Sequence, residues 1–194
     1  MTESISTDAV PANLPNTKQL LREFLRSDER VLVLPFDGLK DDVSRHWHRF
    51  LKRSFWELLH KTAVLAITRN MYSCGLKNAL LRSIGMKIGN HVFIAATVQL
   101  DIQFPELITI DDGAILGMHS HISTHEVTHR HIRLGKVHLG KNTLLGAQAT
   151  IRSGVTVGDN SVVAMRAFVT GDVEPNTLVT GEPDRKVGHL QTAL

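Results

Sequence analysis

Cysteine, long apolar runs and aromatic side chains are scarce in this chain of 194 residues. The single cysteine, Cys74, has no partner for an internal disulfide, and the opening segment has neither the basic start nor the apolar run of a secretory signal. We therefore expect a reducing, cytoplasmic location. The longest uninterrupted apolar stretch, 63–67, is far shorter than the roughly 20 residues that span a bilayer, so we expect no transmembrane role.

An excess of charge of one sign is also lacking. The 22 Lys and Arg residues stand against 19 Asp and Glu residues, which leaves a net charge of +3. So small an excess does not make a strongly basic surface, and we expect no nucleic-acid partner. Histidine, in contrast, is abundant: five of the 11 histidines lie in one short stretch, at His119, His121, His125, His129 and His131.

The first part of the chain predicts helices. Residues 1–16 lack hydrophobic periodicity, and we expect a disordered tail there. Residues 17–85 are expected to form a helical N-terminal region, which the segment VLVLPFDG interrupts after its first helix. Apolar residues recur at helical spacing over 17–26, over about 41–68 and over 76–84.

From Ile88 onward the aliphatic residues recur at every sixth position. The runs in phase are Ile88, Ile94 and Leu100; Ile110, Leu116 and Ile122; and Leu139, Leu145, Ile151, Val157, Val163 and Val169. One inward aliphatic residue on each short strand, with small residues at the corners, predicts a three-faced coil in which residues eighteen apart stack. We prefer this coil, over 86–180, to a β-sandwich, whose strands would alternate with period two. Residues 181–194 are expected to form a C-terminal tail.

The segment 137–187, which ends in Gly-Glu-Pro-Asp-Arg-Lys-Val, carries the most specific signal. Together with the period of six, it resembles the hexapeptide-repeat acyltransferases, and in particular the sugar, maltose and galactoside O-acetyltransferases; the resemblance covers roughly 84–187. It implies a mainly β fold, a left-handed parallel β-helix behind the helical region, and a homotrimer with sites between subunits. It also implies an acyl-coenzyme A co-substrate. Since one fold hosts many functions, the activity depends on the site.

The period of six breaks twice, and at each break the chain must leave the coil. The breaks lie between Leu100 and Ile110 and between Ile122 and Leu139. We expect an excursion loop at 123–138, because loops on a rigid scaffold commonly carry chemistry. In the resembled family a catalytic histidine ends a coil just before such a loop. That position matches His125, and His129 is the second candidate.

His125 is expected to be the general base in direct transfer of an acyl group from a thioester to a hydroxyl or amine, because imidazole titrates near working pH. Two carboxylates are candidates to orient it: Glu126, its neighbour in sequence, and Asp101, beside the first break. Gln99, Asp101 and His119 are candidates for contact with the acceptor. For Gln99 and Asp101 a solvated corner of the coil is the alternative.

Ala147 and Met165 are eighteen residues apart, which places them at one corner of successive coils, where a pantetheine arm could lie. By the resemblance, the coenzyme A site consists of Gly146, Ala147, Met165 and Thr170, with Arg185 near the phosphates. Met165 stands where the family commonly has a small residue, and Gly171 where it commonly has a lysine, a contact that Lys186 could replace. A solvated tail is the alternative for Arg185 and Lys186.

We expect an acetyl-coenzyme A-dependent O-acetyltransferase that acts on a sugar or polysaccharide precursor and needs no metal. One alternative is a metal-dependent hydratase like the γ-carbonic anhydrases, with ligands from the histidine-rich stretch, although that class spaces its ligands differently. The other is a non-catalytic β-helix scaffold that touches membranes through the aromatic and basic residues of 46–60. Packing against the coil or a neighbouring subunit is the preferred role of that stretch.

Overall fold

The structure is a computed structural model that describes residues 17–35, 55–72, 74–128 and 131–181. Its helices are α1 (Thr17–Arg26), α2 (Phe55–Arg69) and α3 (Cys74–Ser83). The helices predicted over 17–26 and 76–84 are therefore confirmed to within two residues. Of the helix predicted over about 41–68, residues 41–54 lie outside the described residues, as do the tails predicted at 1–16 and, beyond Gly181, at the C-terminus.

Very short parallel strands follow α3 and stack into three faces. Face 1 contains β2 (Lys87–Ile88), β5 (Ile108–Ile110), β10 (Val137–Leu139) and β13 (Thr156–Val157). Face 2 contains β3 (Phe93–Ile94), β6 (Ile115–Leu116), β11 (Leu144–Leu145), β14 (Val162–Val163) and β16 (Leu178–Val179). Face 3 contains β4 (Gln99–Leu100), β7 (His121–Ile122), β12 (Thr150–Ile151) and β15 (Phe168–Val169). The predicted three-faced coil is confirmed, and the β-sandwich alternative is wrong.

The aliphatic residues of the period of six form the core of this coil. All twelve are buried except Leu100, which is partly buried against the same cluster. Residues eighteen apart pair directly, as Leu139 does with Val157 and Leu145 with Val163. Each aliphatic residue thus joins a continuous ladder whose burial stabilises the coil by about 1.5–3 kcal/mol per side chain.

Close stacking of the coils requires glycine at some corners. A Cβ atom on Gly146 would lie 2.6 Å from the backbone nitrogen of Met165 in the next coil. Because that neighbour is backbone, relief of the overlap requires the two coils to move apart. The glycine at 146 therefore has a structural reason that is independent of any ligand.

We expect Gly146→Ala to lower the free energy of unfolding by about 1–3 kcal/mol, the usual effect of overpacking a tight site. Gly75→Ala is the matched control, since a Cβ atom there meets nothing within 4 Å. Urea unfolding at equal chain concentration measures both variants. Equal stability of the two variants would contradict the close approach.

The segment 123–138, predicted as an excursion loop, is built mainly of strands. β8 (His125–Val127) and β9 (His131–Gly135) form an antiparallel hairpin, and Val137 has already returned to face 1, opposite Ile108. The other edge of β9 pairs antiparallel with β1 (Val31–Pro35), a strand inside the region predicted to be helical. The segment VLVLP was interpreted only as a helix break, because its strand partner lies about a hundred residues further along the chain.

A second, small core lies beneath this three-stranded sheet. Phe24 of α1 packs with Ile132 and Leu134 of β9 and with Phe104 and Leu107, which follow the first coil. A 3₁₀ turn, Pro105–Leu107, leads from that loop into face 1. This cluster holds the Phe104 loop against the hairpin that carries His125.

Candidate active site

His125 and Asp101 form the closest polar pair of the predicted site residues. Nδ1 of His125 lies 2.5 Å from Oδ2 of Asp101. Asp101 ends the first coil just after β4, and His125 begins the hairpin just after the second coil, so coil stacking brings the two breaks of the period together. The aromatic ring of Phe104 contacts the imidazole edge-on, with 5.8 Å between ring centroids. The imidazole is therefore held on two sides.

Hydrogen-bond donors surround the Asp101 carboxylate. Oδ1 accepts from the backbone amides of Gln103, at 2.8 Å, and Phe104, at 3.3 Å, while Oδ2 accepts from the amide of Thr124, at 3.0 Å. Burial raises the pKa of this carboxyl group, but the hydrogen bonds from His125, Thr124 and Gln103 outweigh burial and lower the pKa to about 2. Asp101 is therefore an anion at any working pH, and it fixes Nδ1 of His125 as a donor.

Glu126, the other carboxylate considered for orienting His125, bonds elsewhere. Its oxygens accept from Arg152 at 2.8 and 2.9 Å, from Ser153 Oγ at 2.6 Å and from Arg133 at 3.1 Å. Adjacent residues of an extended strand point to opposite sides, so Glu126 faces the third coil while His125 faces Asp101. Burial raises the pKa of Glu126, but the bonds from Arg152 and Ser153 lower it to about 2. Glu126 thus holds the hairpin against the coil through its ion pairs and hydrogen bonds.

A cleft of about 640 Å³ opens beside the Asp101–His125 pair. One wall is helix α2, and the other is face 3 with the loop that follows it. Gln99 and His121, which pair in register on β4 and β7, present their side chains outward on this face. The residues of the cleft are Thr62, Leu65, Ala66 and Arg69 from α2, then Val98 to Gln103, His121, Ser123 and His125.

Among the acceptor-contact candidates, Gln99 and Asp101 line this cleft and His119 does not. His119 occupies the corner between faces 2 and 3, with φ of 58°, and its side chain is exposed. His121, two residues later, lines the cleft instead. The period of six could have identified it, because Gln99 and His121 both directly precede an inward aliphatic residue.

Two kinds of comparison connect this geometry to known proteins. The family model described as "Hexapeptide repeat of succinyl-transferase" matches residues 136–170. The Bacillus subtilis protein named "Putative acetyltransferase YvoF" is 35% identical over 140 residues, which span 72% of this chain and 81% of that one. This chain belongs to the hexapeptide-repeat acetyltransferases. The family resemblance and the enzyme class expected from the sequence are thereby confirmed.

A further relative and a solved structure are also similar to this acetyltransferase. The galactoside O-acetyltransferase of Escherichia coli is 31% identical over 102 residues, about half of each chain. A solved hexapeptide-repeat containing acetyltransferase of Vibrio cholerae, in complex with acetyl coenzyme A, covers 88% of this chain and 98% of its own. Its TM-score is 0.59 at 22% identity, a likeness that shows the fold. The coil is the left-handed parallel β-helix that was predicted.

In this acetyltransferase four of the predicted coenzyme A residues lie on the third and fourth coils: Gly146, Ala147, Met165 and Thr170. Ala147 and Met165 share the corner between faces 2 and 3, where the amide of Arg166 donates to the carbonyl of Ala147 at 3.0 Å. Ala147 is half-buried and Met165 is 70% exposed, so the corner is open to a ligand. Gly146 is buried beneath it, and Thr170 follows β15 at the next corner. His129, Arg185 and Lys186 lie outside the described residues.

Sequence reasoning missed the α2 wall of the cleft. Helical periodicity identifies a buried stripe on α2, yet it does not say that Thr62, Ala66 and Arg69 face a site that the coil forms from Val98 onward. Ser123 of the cleft was likewise not singled out.

The described residues lack two features, a cluster of metal-binding side chains and a membrane-spanning helix. Within the described ranges, no group of three or more His, Cys, Asp and Glu side chains converges as a metal site would require. No described helix combines the length and the apolar character needed to cross a membrane.

Proposed function

We propose that this chain transfers an acetyl group from acetyl-coenzyme A to a hydroxyl of a sugar or polysaccharide precursor, with His125 as general base. One observation carries the proposal: a histidine whose Nδ1 lies 2.5 Å from a buried aspartate stands in the wall of a cleft large enough for a small acceptor. The aspartate makes Nδ1 the donor, so the neutral imidazole has its lone pair on Nε2. Histidine is the side chain best suited to proton transfer near neutral pH.

The transfer proceeds in one addition and one elimination. Nε2 of His125 takes the proton of the acceptor hydroxyl while the oxygen forms a bond to the thioester carbonyl carbon. The tetrahedral intermediate collapses, the carbon–sulfur bond breaks, and the imidazolium returns the proton to the coenzyme A thiolate. The products are the acetyl ester and free coenzyme A. The Asp101 carboxylate stabilises the imidazolium throughout and is a positioning residue.

The acyl donor is placed along the corner that Ala147 and Met165 share. The side chain of Ala147 is small, which leaves room for the pantetheine arm at this corner. The arm would run from there towards the end of the coil that holds His125. Gly146 and Thr170 are the neighbouring contacts, with Arg185 and Lys186 near the phosphates. A donor of this kind is a cytoplasmic metabolite, so we place the reaction in the cytoplasm.

A sugar acceptor agrees with the composition of the cleft. Gln99, His121 and Ser123 supply polar groups for hydroxyls, and Leu65, Val98 and Leu100 supply apolar contact for a sugar ring. The similarity to a galactoside O-acetyltransferase supports the same class of acceptor.

Release of coenzyme A thiol tests the proposal directly. Purified protein is assayed with acetyl-, succinyl- and longer acyl-coenzyme A against a panel of sugars and amines. We expect acetyl-coenzyme A with a sugar to give the highest kcat/KM, and mass spectrometry to find an ester on the sugar. An amide product on an amine acceptor, or a preference for a longer acyl group, would contradict this assignment.

We also propose a homotrimer, supported by an apolar ladder on face 2. Its outward side chains are Phe93, Ile115, Leu144, Val162 and Leu178, with exposed fractions from 36% to 65%. The outward positions of face 1 are polar, at Lys87, Thr109, His138 and Thr156. A ladder of this kind marks a contact with another protein surface, and a copy of the chain docked there would border the corner of Ala147 and Met165.

We expect Leu144→Glu to dissociate the trimer, because it buries an uncompensated carboxylate at each contact. Light scattering of the wild type should give three times the mass of one chain, and the variant should give one. Thr109→Glu, which adds the same charge to face 1, should remain a trimer. A wild-type monomer, or a Leu144→Glu protein of unchanged mass, would refute the role of face 2.

A further inference from the structure

Arg69 is the last residue of helix α2 and lines the cleft beside the Asp101–His125 pair. Its position is fixed by its backbone: the carbonyl oxygen of Arg69 accepts a hydrogen bond of 2.6 Å from the amide of Thr97, at the corner just before β4. Thr68, next to it, is buried and donates back to the carbonyl of Val64 within the helix. Arg69 is therefore an exposed residue of the cleft lining whose backbone is held in place.

Arg69 has no anionic partner among the described residues, and it is the only lysine or arginine among the described residues that line the cleft. Lys61, on the same helix, is buried and contacts Glu57 and Glu106, each at 3.0 Å. Arg133 and Arg152 pair with Glu126, and Arg30 pairs with Asp172. No Asp or Glu in the described ranges pairs with Arg69 in this way. An arginine of a cleft that is not paired with a carboxylate is able to bind an anionic ligand.

The other charged groups of the cleft do not neutralise Arg69. Among the described residues of the lining the only carboxylate is Asp101, whose side chain is 2% exposed and is already bonded to His125 and to backbone amides. His121 and His125 are the remaining titratable groups there, and neither is an anion. Arg69 is consequently the charged group of the described lining that is left without an ion pair.

An anion bound by Arg69 would belong to the acceptor and not to coenzyme A. The cleft is lined by the first two coils, the start of the hairpin and α2, and by no residue of the third or fourth coil. The corner of Ala147 and Met165, where the donor is placed, is on those later coils. Arg69 and the corner of Ala147 and Met165 thus lie at different heights along the axis of the coil.

We propose that Arg69 selects an acidic acceptor, one that carries a carboxylate or a phosphate next to the hydroxyl to be acetylated. The planar guanidinium can bind either anion through two parallel hydrogen bonds. Leu65, Ala66 and Val98 cover the apolar side of the acceptor, while the anion fixes its orientation towards His125. This inference rests on the proposed function, because it assigns the acceptor of the same site.

Matched acceptors test the inference. Methyl glucoside, glucuronate and glucose 1-phosphate are compared with acetyl-coenzyme A as donor, in the full-length protein and in Arg69→Gln. We expect the better of the two acidic sugars to exceed the neutral one at least tenfold in kcat/KM. Arg69→Gln should remove that advantage, a loss of about 10–100-fold from a hydrogen bond to a charged group. This loss of kcat/KM should appear mainly as a higher KM for the acidic sugar, while KM for acetyl-coenzyme A should not change.

Two variants serve as controls. Arg69→Lys keeps the charge but not the planar fork, so it should retain part of the preference. Arg22→Gln removes an exposed arginine from α1, outside the cleft, and should behave as wild type. A preference that is higher for glucuronate than for glucose 1-phosphate identifies a carboxylate, and the reverse order identifies a phosphate.

The outcomes separate this inference from the proposed function. Thiol release that is equal with neutral and acidic sugars, or that falls equally with both in Arg69→Gln, leaves the acetyltransferase intact and overturns the role of Arg69. If none of the three sugars accelerates thiol release, the sugar acceptor is wrong, and ligand-observed NMR of the same sugars decides about Arg69. Tighter binding of an acidic sugar that is lost in Arg69→Gln supports the inference; equal binding of all three refutes it.

Discussion

Replacement of His125 by alanine is expected to lower kcat for acetyl transfer by about 10²–10⁴-fold, the usual contribution of a positioned general base. The variant retains the Asp101 carboxylate and the cleft but has no group to take the acceptor proton. KM for acetyl-coenzyme A should stay within about twofold, because the donor corner lies on other coils. Initial rates of thiol release at saturating donor measure both quantities.

Two other histidines of the same stretch serve as comparisons. His131→Ala removes an imidazole from β9 that contacts Thr128 and is absent from the cleft lining, so it should retain most of the activity. His129→Ala tests the second histidine that the sequence offers as the general base. If His129→Ala were inactive while His125→Ala kept wild-type rates, the assignment of the base would be wrong.

The period of six made the coil predictable because it records contacts between residues at a constant separation. A residue such as Leu145 meets Leu116 in the coil before it and Val163 in the coil after it, and the same environment selects the same class of side chain each time. The interruptions of that period were equally informative. They located the two places where Asp101 and His125 leave the coil, and coil stacking brings those places together.

The rest of the site depends on contacts that have no period. Strand β1 pairs with β9 across about a hundred residues, and α2 forms a wall of the cleft opposite Gln99 and His121. Nothing in the residues of α2 specifies which element covers it, since packing against the coil and facing a cleft both need an amphipathic helix. For the same reason Glu126 was as plausible an orienting carboxylate as Asp101. The direction of a side chain on β8 decides between them.

Asp101→Asn is expected to lower kcat by about 10²–10⁴-fold, although the Asp101 side chain is only 2% exposed and acts through His125. All the partners of this carboxylate donate hydrogen bonds: His125 Nδ1 and the amides of Gln103, Phe104 and Thr124. An amide group in either orientation places its NH₂ against one of these donors. When the NH₂ faces His125, Nδ1 becomes the acceptor and Nε2 carries the proton, so the base is in the wrong tautomer.

The split between kcat and KM separates this positioning role from simple damage to the fold. Loss of the orienting carboxylate should lower kcat, while KM for acetyl-coenzyme A should stay near the wild-type value because the donor corner lies on other coils. Asp111→Asn is the matched control, since Asp111 is half-buried and pairs with His138 at 2.8 Å away from the cleft. That variant should keep the wild-type kcat and KM. An Asp101→Asn enzyme with unchanged kcat would show that Asp101 does not position the base.

The free energy of unfolding should also depend on the ionisation of the Asp101 carboxyl group. The pKa of Asp101 is lowered from 3.8 to about 2, so its stabilisation is fully present above about pH 4 and is lost as the pH falls towards 2. A depression of that size corresponds to about 2 kcal/mol at neutral pH. Urea unfolding of wild type and Asp101→Asn at equal chain concentration should therefore differ by about that amount at pH 7 and by roughly half of it at pH 3. A difference that stayed constant between these pH values would mean that the charge of Asp101 contributes nothing to folding, and that the amide is tolerated by the four donors around it.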